Sequence, residues 1–290
     1  MAWQGRKFFI IWILGILIFC FGYPILIIES NCFAEENIGN DSPELQFAFE
    51  LMAEFSTDYS SSAAGRKKNI ERAAAALDGA TVAVGERFSF NGRVGKRSAE
   101  RGYLPAPVIE NGQYVPGVGG GVCQVSSTLY NAVIRAGFEK LHAVRHTIPA
   151  SYVPYSADAA VSEATDFTFL NDSPYPVTIK CSAKDGKLTV KLYGFPYYTD
   201  GLSVKFVSNL IKETPTEEYD VIRDGKGMPN AGGRERIVRR AVPKRESELI
   251  KITYYLGKEV GRKRFRHDFY PAVKGVKIVA GDNAGEIVGF

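Results

Sequence analysis

Side chains suited to metal binding or thiol chemistry are scarce in this 290-residue chain, which has three histidines and four cysteines. Cys20 and Cys32 belong to an amino-terminal leader, so only Cys123 and Cys181 remain in the body of the chain. No histidine or cysteine stands at paired ligand spacing, which excludes a zinc reading; no metal or cofactor is expected. Two cysteines in unlike surroundings cannot make a disulfide framework, and they are expected to stay unpaired. No internal repeat is visible, so a solenoid is not expected. The chain also lacks a uniform charge. Net charge is −5 over residues 35–222 and +8 over residues 223–290. The tail therefore carries the basic character, and its natural neighbour is an anionic surface.

One long apolar run is present. Arg6 and Lys7 precede the stretch Phe8 to Ile28, broken only by Gly15, Gly22, Tyr23 and Pro24. A basic flank followed by such a run predicts export, as a signal peptide or as a signal anchor. Its length lies between the core of a signal peptide and a span of about 20 residues. The small pair Cys32 and Ala34 favours cleavage before Glu35. Outside the membrane, an anionic partner for the tail means phospholipid headgroups or wall polymers rather than nucleic acid.

The remaining residues are expected to fold as α+β, mainly antiparallel strands around a central helix led by a glycine-rich loop. Residues 35–54 read as a linker and lead-in, with strand alternation at 45–51. Arg66 to Leu77 reads as a helix with Ile70, Ala73, Ala74 and Leu77 on one face, ended by Asp78-Gly79. Thr81–Val84, Arg87–Phe90, Val108–Glu110 and Gln113–Val115 read as short strands, the last two joined by the hairpin turn Asn111-Gly112. Phe138–Thr147 is expected to be a strand returning from the central helix. Val177–Cys181 and Lys187–Tyr193 make a hairpin around Asp185-Gly186. Beyond residue 200 come strands at Gly201–Ile211, Glu248–Leu256 and Val260–His267, with a flexible loop at 224–233.

The most unusual stretch is Gly119-Gly120-Gly121-Val122-Cys123-Gln124-Val125-Ser126-Ser127-Thr128-Leu129-Tyr130-Asn131-Ala132. Glycines ahead of a helix allow a close backbone approach and leave the first helical N–H groups open. A cysteine there feels the positive end of the helix dipole, so Cys123 should ionise readily, and the same N–H groups could hold an oxyanion. A nucleophile needs a base within hydrogen-bond reach. The helix to Ala136 is about 20 Å long, and a strand covers that distance in six or seven residues. His146 thus returns to the level of Cys123, whereas His142 falls short. Asp158 and Asp166 are candidate orienters of the imidazole. Ser127 and Tyr130 share the helix face of Cys123 and could line the same cleft. The plainer alternative is that Cys123 only packs, since cysteine is among the most often buried residues.

Those same residues resemble the hallmark of the VanW-like family, named for an accessory protein of vancomycin-resistance clusters. The resemblance continues upstream through Phe88-Ser89-Phe90-Asn91, Glu100-Arg101-Gly102-Tyr103 and Ala106-Pro107-Val108-Ile109. Downstream it takes in His146, Ser151-Tyr152-Val153-Pro154, Asp158-Ala159, Asp166-Phe167, Asn171 and Tyr175-Pro176. It covers roughly residues 55–195 and implies a VanW-like domain over 55–200 after a leader at 1–34. Residues 201–290 then form a basic, β-rich extension, and Ser247 to Gly281 resembles half of a glycine-containing β module of wall-associated proteins. Thr147 departs from the family, where many relatives have serine.

The resemblance implies an exported envelope protein, secreted or anchored by its leader. Joined to the Cys123–His146 spacing, it gives an expected cysteine-dependent hydrolase or acyltransferase acting on cell-wall peptides, as a peptidase, amidase or transpeptidase. Cys123, His146, Asp158 and Asp166 would be catalytic. Gly119, Gly120, Gly121, Gln124, Ser126, Ser127, Tyr130 and Tyr152 would bind the wall peptide or glycan. The alternative is a non-catalytic module that binds peptidoglycan or an anionic wall polymer.

Overall fold

The core is built on a helix that is hidden almost completely. A computed structural model describes residues 50–110, 112–224, 235–280 and 287–288, all within one unit, Asn40–Phe290. The leader and the loop expected at 224–233 lie outside the described residues, apart from Asp224 at a strand end. Strand β1 (Glu50–Asp58) leads into helix α1 (Ala64–Leu77), which buries Ile70, Ala73, Ala74 and Leu77 as the spacing predicts. Then follow β2 (Ala80–Val82), β3 (Arg87–Ser89), the short helix α2 (Phe90–Val94), and the hairpin β4 (Pro105–Glu110) and β5 (Gln113–Val118). Helix α3 (Val122–Ala136) buries every residue except Cys123 and Arg135. Gly137, at φ 106°, ends it.

Strands β6 (Leu141–His142), β7 (Thr168–Leu170), β8 (Val177–Lys184) and β9 (Lys187–Gly194) complete the first half. One antiparallel sheet has the order β1-β9-β8-β2, and a smaller one β3-β7-β6. Helix α3 packs on β1 and β9. On its far side Phe138, Phe167 and Phe169 form an aromatic stack with Phe88, the Phe138 and Phe169 centroids 5.4 Å apart.

The basic extension is a second set of sheets. Strands β10 (Leu202–Thr214), β13 (Lys244–Tyr255) and β14 (Lys258–Tyr270) form an antiparallel sheet in the order β10-β13-β14. Strands β11 (Tyr219–Asp224), β12 (Glu235–Arg239), β15 (Gly275–Ala280) and β16 (Ile287–Val288) form another, in which β11 and β15 run parallel. The fold is thus mostly antiparallel β with few helices, broadly α+β.

Of the strand alternation read at 45–51, only residues 50 and 51 are described, and they open β1, which pairs with β9 and packs Phe55 against the core. Two local expectations need correction. Phe90 is not a strand end: Ser89 Oγ accepts from Gly92 N at 2.8 Å and caps α2. The return segment 138–147 is a ladder only at Leu141–His142, with one further bridge between Val144 and Ala160. Beyond it the His146 N–H is taken by an Asp158 carboxylate oxygen at 2.7 Å, so no ladder can continue there.

The glycine turn before α3 serves close packing. A Cβ on Gly120 would lie 2.5 Å from the Pro107 carbonyl oxygen and 2.7 Å from that of Ala106, both on β4. The buried Asn69 side chain fixes the same crossing, donating to the Leu104 and Gly120 carbonyls and accepting from the Leu104 N–H at 2.8–3.0 Å. Replacing Gly120 by alanine should therefore lower stability by about 1–3 kcal/mol, because backbone rather than a flexible side chain must move. Urea denaturation followed by tryptophan-independent far-ultraviolet dichroism measures this, and an unchanged midpoint would contradict the packing described.

Candidate functional site

Helix α3 meets one extended stretch of chain, residues 157–161, through side chains at every fourth position. Asn131 Nδ2 donates to the Ala157 carbonyl at 2.6 Å. Ser127 Oγ accepts from the Ala159 N–H at 3.0 Å, and Ser126 Oγ donates to the Ala159 carbonyl at 2.5 Å. Cys123 Sγ lies 3.3 Å from the Val161 carbonyl oxygen and 3.5 Å from the Val161 nitrogen. Four helical residues rise about 6 Å and two extended residues about 6.6 Å, so 131, 127 and 123 stay in step with 157, 159 and 161. Residues between these contacts point the other way. Asp158 is one of them, and it faces His146.

There His146 Nδ1 donates to Asp158 Oδ2 at 2.6 Å, while the same oxygen accepts the His146 backbone N–H at 2.7 Å. Both side chains are buried. With Nδ1 committed, Nε2 is the nitrogen left for Cys123, and the charged forms of thiol and imidazole stabilise each other. Burial would push the Cys123 thiol up, but a hydrogen bond and the charge of His146, then the Val161 N–H and Arg97, hold it below its ordinary value. Burial likewise works against the imidazolium, yet Asp158 and Cys123 raise His146 to about 9. Burial disfavours the Asp158 carboxylate too; His146 and Arg266 more than offset this and keep it ionised. Near neutral pH His146 and Asp158 therefore stand as imidazolium and carboxylate, and Cys123 ionises more readily than an ordinary cysteine. Cys123 remains partly exposed. Cys181 is buried and pushed up to about 12, the profile of an inert thiol; both are free.

The glycine loop shapes the approach. Val122 N is taken by the Gly119 carbonyl and Gln124 N by that of Gly121, while the Cys123 N–H between them lacks a partner among the described residues. Gly119 and Gly121, at φ 87° and 107°, adopt backbone that other residues resist. Tyr152 is half-buried; its ring stands edge-on to His146, with centroids 6.4 Å apart.

Two arginines absent from the sequence-based expectations flank this loop. Arg66 is half-buried, donating to Ser62 Oγ at 2.7 Å and Gln124 Oε1 at 2.8 Å, with its guanidinium carbon 5.8 Å from the Tyr152 ring centre. Arg97 is half-buried and donates to Asn91 Oδ1 at 2.7 Å and the Gly95 carbonyl at 3.2 Å. Their sequence surroundings carry no pattern that would have singled them out.

Other expected site residues have different partners. Asp166 accepts from Ser89 Oγ and from the Asn91 N–H at 2.8 Å, so it caps α2 instead of orienting His146. Tyr130 shares the helix face of Cys123 but is fully buried, edge-on to Phe167 and under the Arg266 guanidinium, and lines no cleft because those groups cover it. Gln124 is buried and ties the helix to β1 through Thr57 Oγ1 and the Asp58 carbonyl. Ser126 and Ser127 are buried in the seam described above. Tyr103 is likewise buried. A cleft of about 760 Å³, lined among others by Tyr114, Pro149, Tyr155 and Arg245, adjoins the 148–155 segment but does not include Cys123.

Asp158 is held from behind by the basic extension. The Tyr270 hydroxyl lies 3.4 Å from Asp158 Oδ1 and accepts the Ser156 N–H at 3.2 Å. Arg266 donates to the Asp158 carbonyl at 2.6 Å and places a second nitrogen 3.8 Å from Oδ1. Ser247 Oγ hydrogen-bonds Ser156 Oγ at 2.8 Å. These residues lie about 90–110 positions from Asp158, with no local signal to betray the contact.

A Cys–His–Asp row thus stands at the start of a helix, its imidazole and carboxylate buried and its sulfur partly exposed. Residues 65–193 match the family model described as VanW like protein. An uncharacterized protein, YoaR of Bacillus subtilis (strain 168), is 42% identical over 145 residues, which is 50% of this chain and 48% of that protein. The chain thus matches about half the length of that relative. Two G5-domain structures, those of HP0197 and of IgA1 protease, align with 27% and 28% of this chain and 96% and 94% of theirs, at 9% and 11% identity. Their TM-scores, 0.16 and 0.18, are too low to bear on the fold.

The charge state has a measurable consequence. Because the Cys123 thiol is held below its ordinary value and His146 stays protonated to about pH 9, alkylation by neutral iodoacetamide at pH 7 should be faster than that of a model thiol and should rise less steeply up to pH 8. Replacing His146 by glutamine leaves burial as the dominant influence. The thiol then titrates above its ordinary value, and the rate at pH 7 falls at least about tenfold. A rate at Cys123 equal to that of a model thiol, unaffected by His146→Gln, would refute the ion pair.

Proposed function

We propose that this protein is an exported cell-envelope enzyme that uses Cys123 to cleave or transfer acyl groups of cell-wall peptides. The observation that carries the reading is the Asp158–His146–Cys123 row, with Nδ1 fixed at 2.6 Å from its carboxylate and the thiol held low. Such pairing supplies an activated sulfur, a proton carrier and an orienting anion. In the reaction the Cys123 thiolate attacks a carbonyl carbon and forms a thioester. The proton on His146 goes to the departing amine as the C–N bond breaks. Water, or the amine of a second peptide, then attacks the thioester and gives its proton to His146, and the sulfur leaves as thiolate. The unpartnered Cys123 N–H is placed to stabilise the tetrahedral oxyanion. Export and action on the wall rest on the leader at 1–34 and on the basic extension, which suits an anionic membrane surface or wall polymer.

A second reading, a module that binds peptidoglycan or an anionic wall polymer without catalysis, draws on the separate cleft near Tyr114, Tyr155 and Arg245. The two diverge on one substitution. With purified wall peptides, the enzyme should form a thioester visible by intact-protein mass spectrometry, and Cys123→Ala should abolish product by roughly a thousandfold or more while remaining folded. Equal binding and equal cellular function in Cys123→Ala would leave the binding module as the correct reading.

A further inference from the structure

We propose that Arg66 and Arg97 form an anion subsite beside Cys123, so that the substrate carries a carboxylate next to the carbonyl that is attacked. This rests on the cysteine-nucleophile reading above and names the chemical class of its substrate. The two arginines stand at opposite ends of the Gly119–Gly121 turn that delivers the sulfur. A Cβ on Gly119 would lie 2.8 Å from the Arg97 Cβ, and one on Gly121 would lie 2.9 Å from the Arg66 Cγ. The glycines thus let both arginine stems pass close to the start of α3.

Each guanidinium is oriented by neutral acceptors alone: Ser62 and Gln124 for Arg66, Asn91 and Gly95 for Arg97. Among the described residues neither has a carboxylate within ion-pairing distance, whereas Arg245, Arg262 and Arg266 each do. A half-buried cation without a counter-charge is unfavourable unless an anion arrives to meet it. The other charges at the site do not supply one lastingly. The Asp158 carboxylate is taken by His146 and Arg266 on the far side. The charge of a Cys123 thiolate favours both guanidiniums, but it is lost once the sulfur is acylated. A substrate carboxylate fills that place, and the planar fork of arginine matches its two oxygens. The Tyr152 ring, between Arg66 and His146, gives that carboxylate one apolar wall. The peptide this fits ends in a free carboxylate, or bears an acidic side chain, beside the bond attacked.

Paired alkylating agents test this without a known substrate. Iodoacetate and iodoacetamide react at the same sulfur and differ in one negative charge. Rates are read on the full chain by peptide mass spectrometry at Cys123, which separates it from Cys20, Cys32 and Cys181. The ratio of the iodoacetate rate to the iodoacetamide rate should exceed that of glutathione. Arg66→Gln and Arg97→Gln should each lower it by roughly fivefold, the size of one charge near 4 Å in a water-like medium. Arg66→Lys and Arg97→Lys should keep most of it. In the unaltered protein the ratio should fall between about 20 mM and 500 mM salt, which tests the idea even should a variant not fold. Fast iodoacetamide labelling with a ratio indifferent to salt and to both glutamine variants overturns the subsite and spares the nucleophile. Labelling by iodoacetamide no faster than glutathione overturns the nucleophile itself, and the subsite with it.

Discussion

The site depends on a match of two repeats. One turn of helix α3 and two residues of extended chain advance by almost the same distance, so Cys123, Ser127 and Asn131 can each reach alternate residues of 157–161. That seam does two things at once. It seats the sulfur against Val161, and it forces Asp158 to the opposite face, where it meets both the ring and the backbone of His146. A slip by one residue would send the carboxylate into the helix and leave the histidine without an anchor. The stretch 157–161 is scarcely a strand by hydrogen bonding, yet helix side chains take the part of a neighbouring strand.

Electrostatics follows from that placement. Three buried or half-buried groups that would each prefer neutrality in isolation are drawn towards their charged forms by their neighbours. Burial is the largest single influence on the thiol, the imidazole and the carboxylate, and it opposes charge in all three. What reverses it is the opposite charge beside each group, together with the two hydrogen bonds from His146 to Asp158 Oδ2. Such a row is stable as a whole and poor in parts, which is why its members behave as one unit.

Much of this was legible in the chain because the signals are local. The glycine run, the helical stripe from Val125 to Ala136 and the turn at Gly137 announce α3 directly. Helix and strand lengths bring His146 back to Cys123. Asp158 and Asp166 could not be separated that way, since both precede or enter strands; the difference is that Asp166 finds two donors at α2. Ser127 and Tyr130 read as lining a cleft because helical spacing tells which side chains share a face, not whether that face is wet. The arginines and the tail contacts left no trace in the sequence, for they arise where distant segments cross.

The grip of Tyr270 and Arg266 on Asp158 reaches across more than a hundred residues and lies outside the segment that matches the family. A chain made from its amino terminus has the sulfur and the imidazole long before it has that grip. The orienting carboxylate is braced only when the last long strand has folded back. A nascent or clipped copy thus holds Cys123 and His146 beside an unbraced carboxylate, and only the completed polypeptide locks the row from behind.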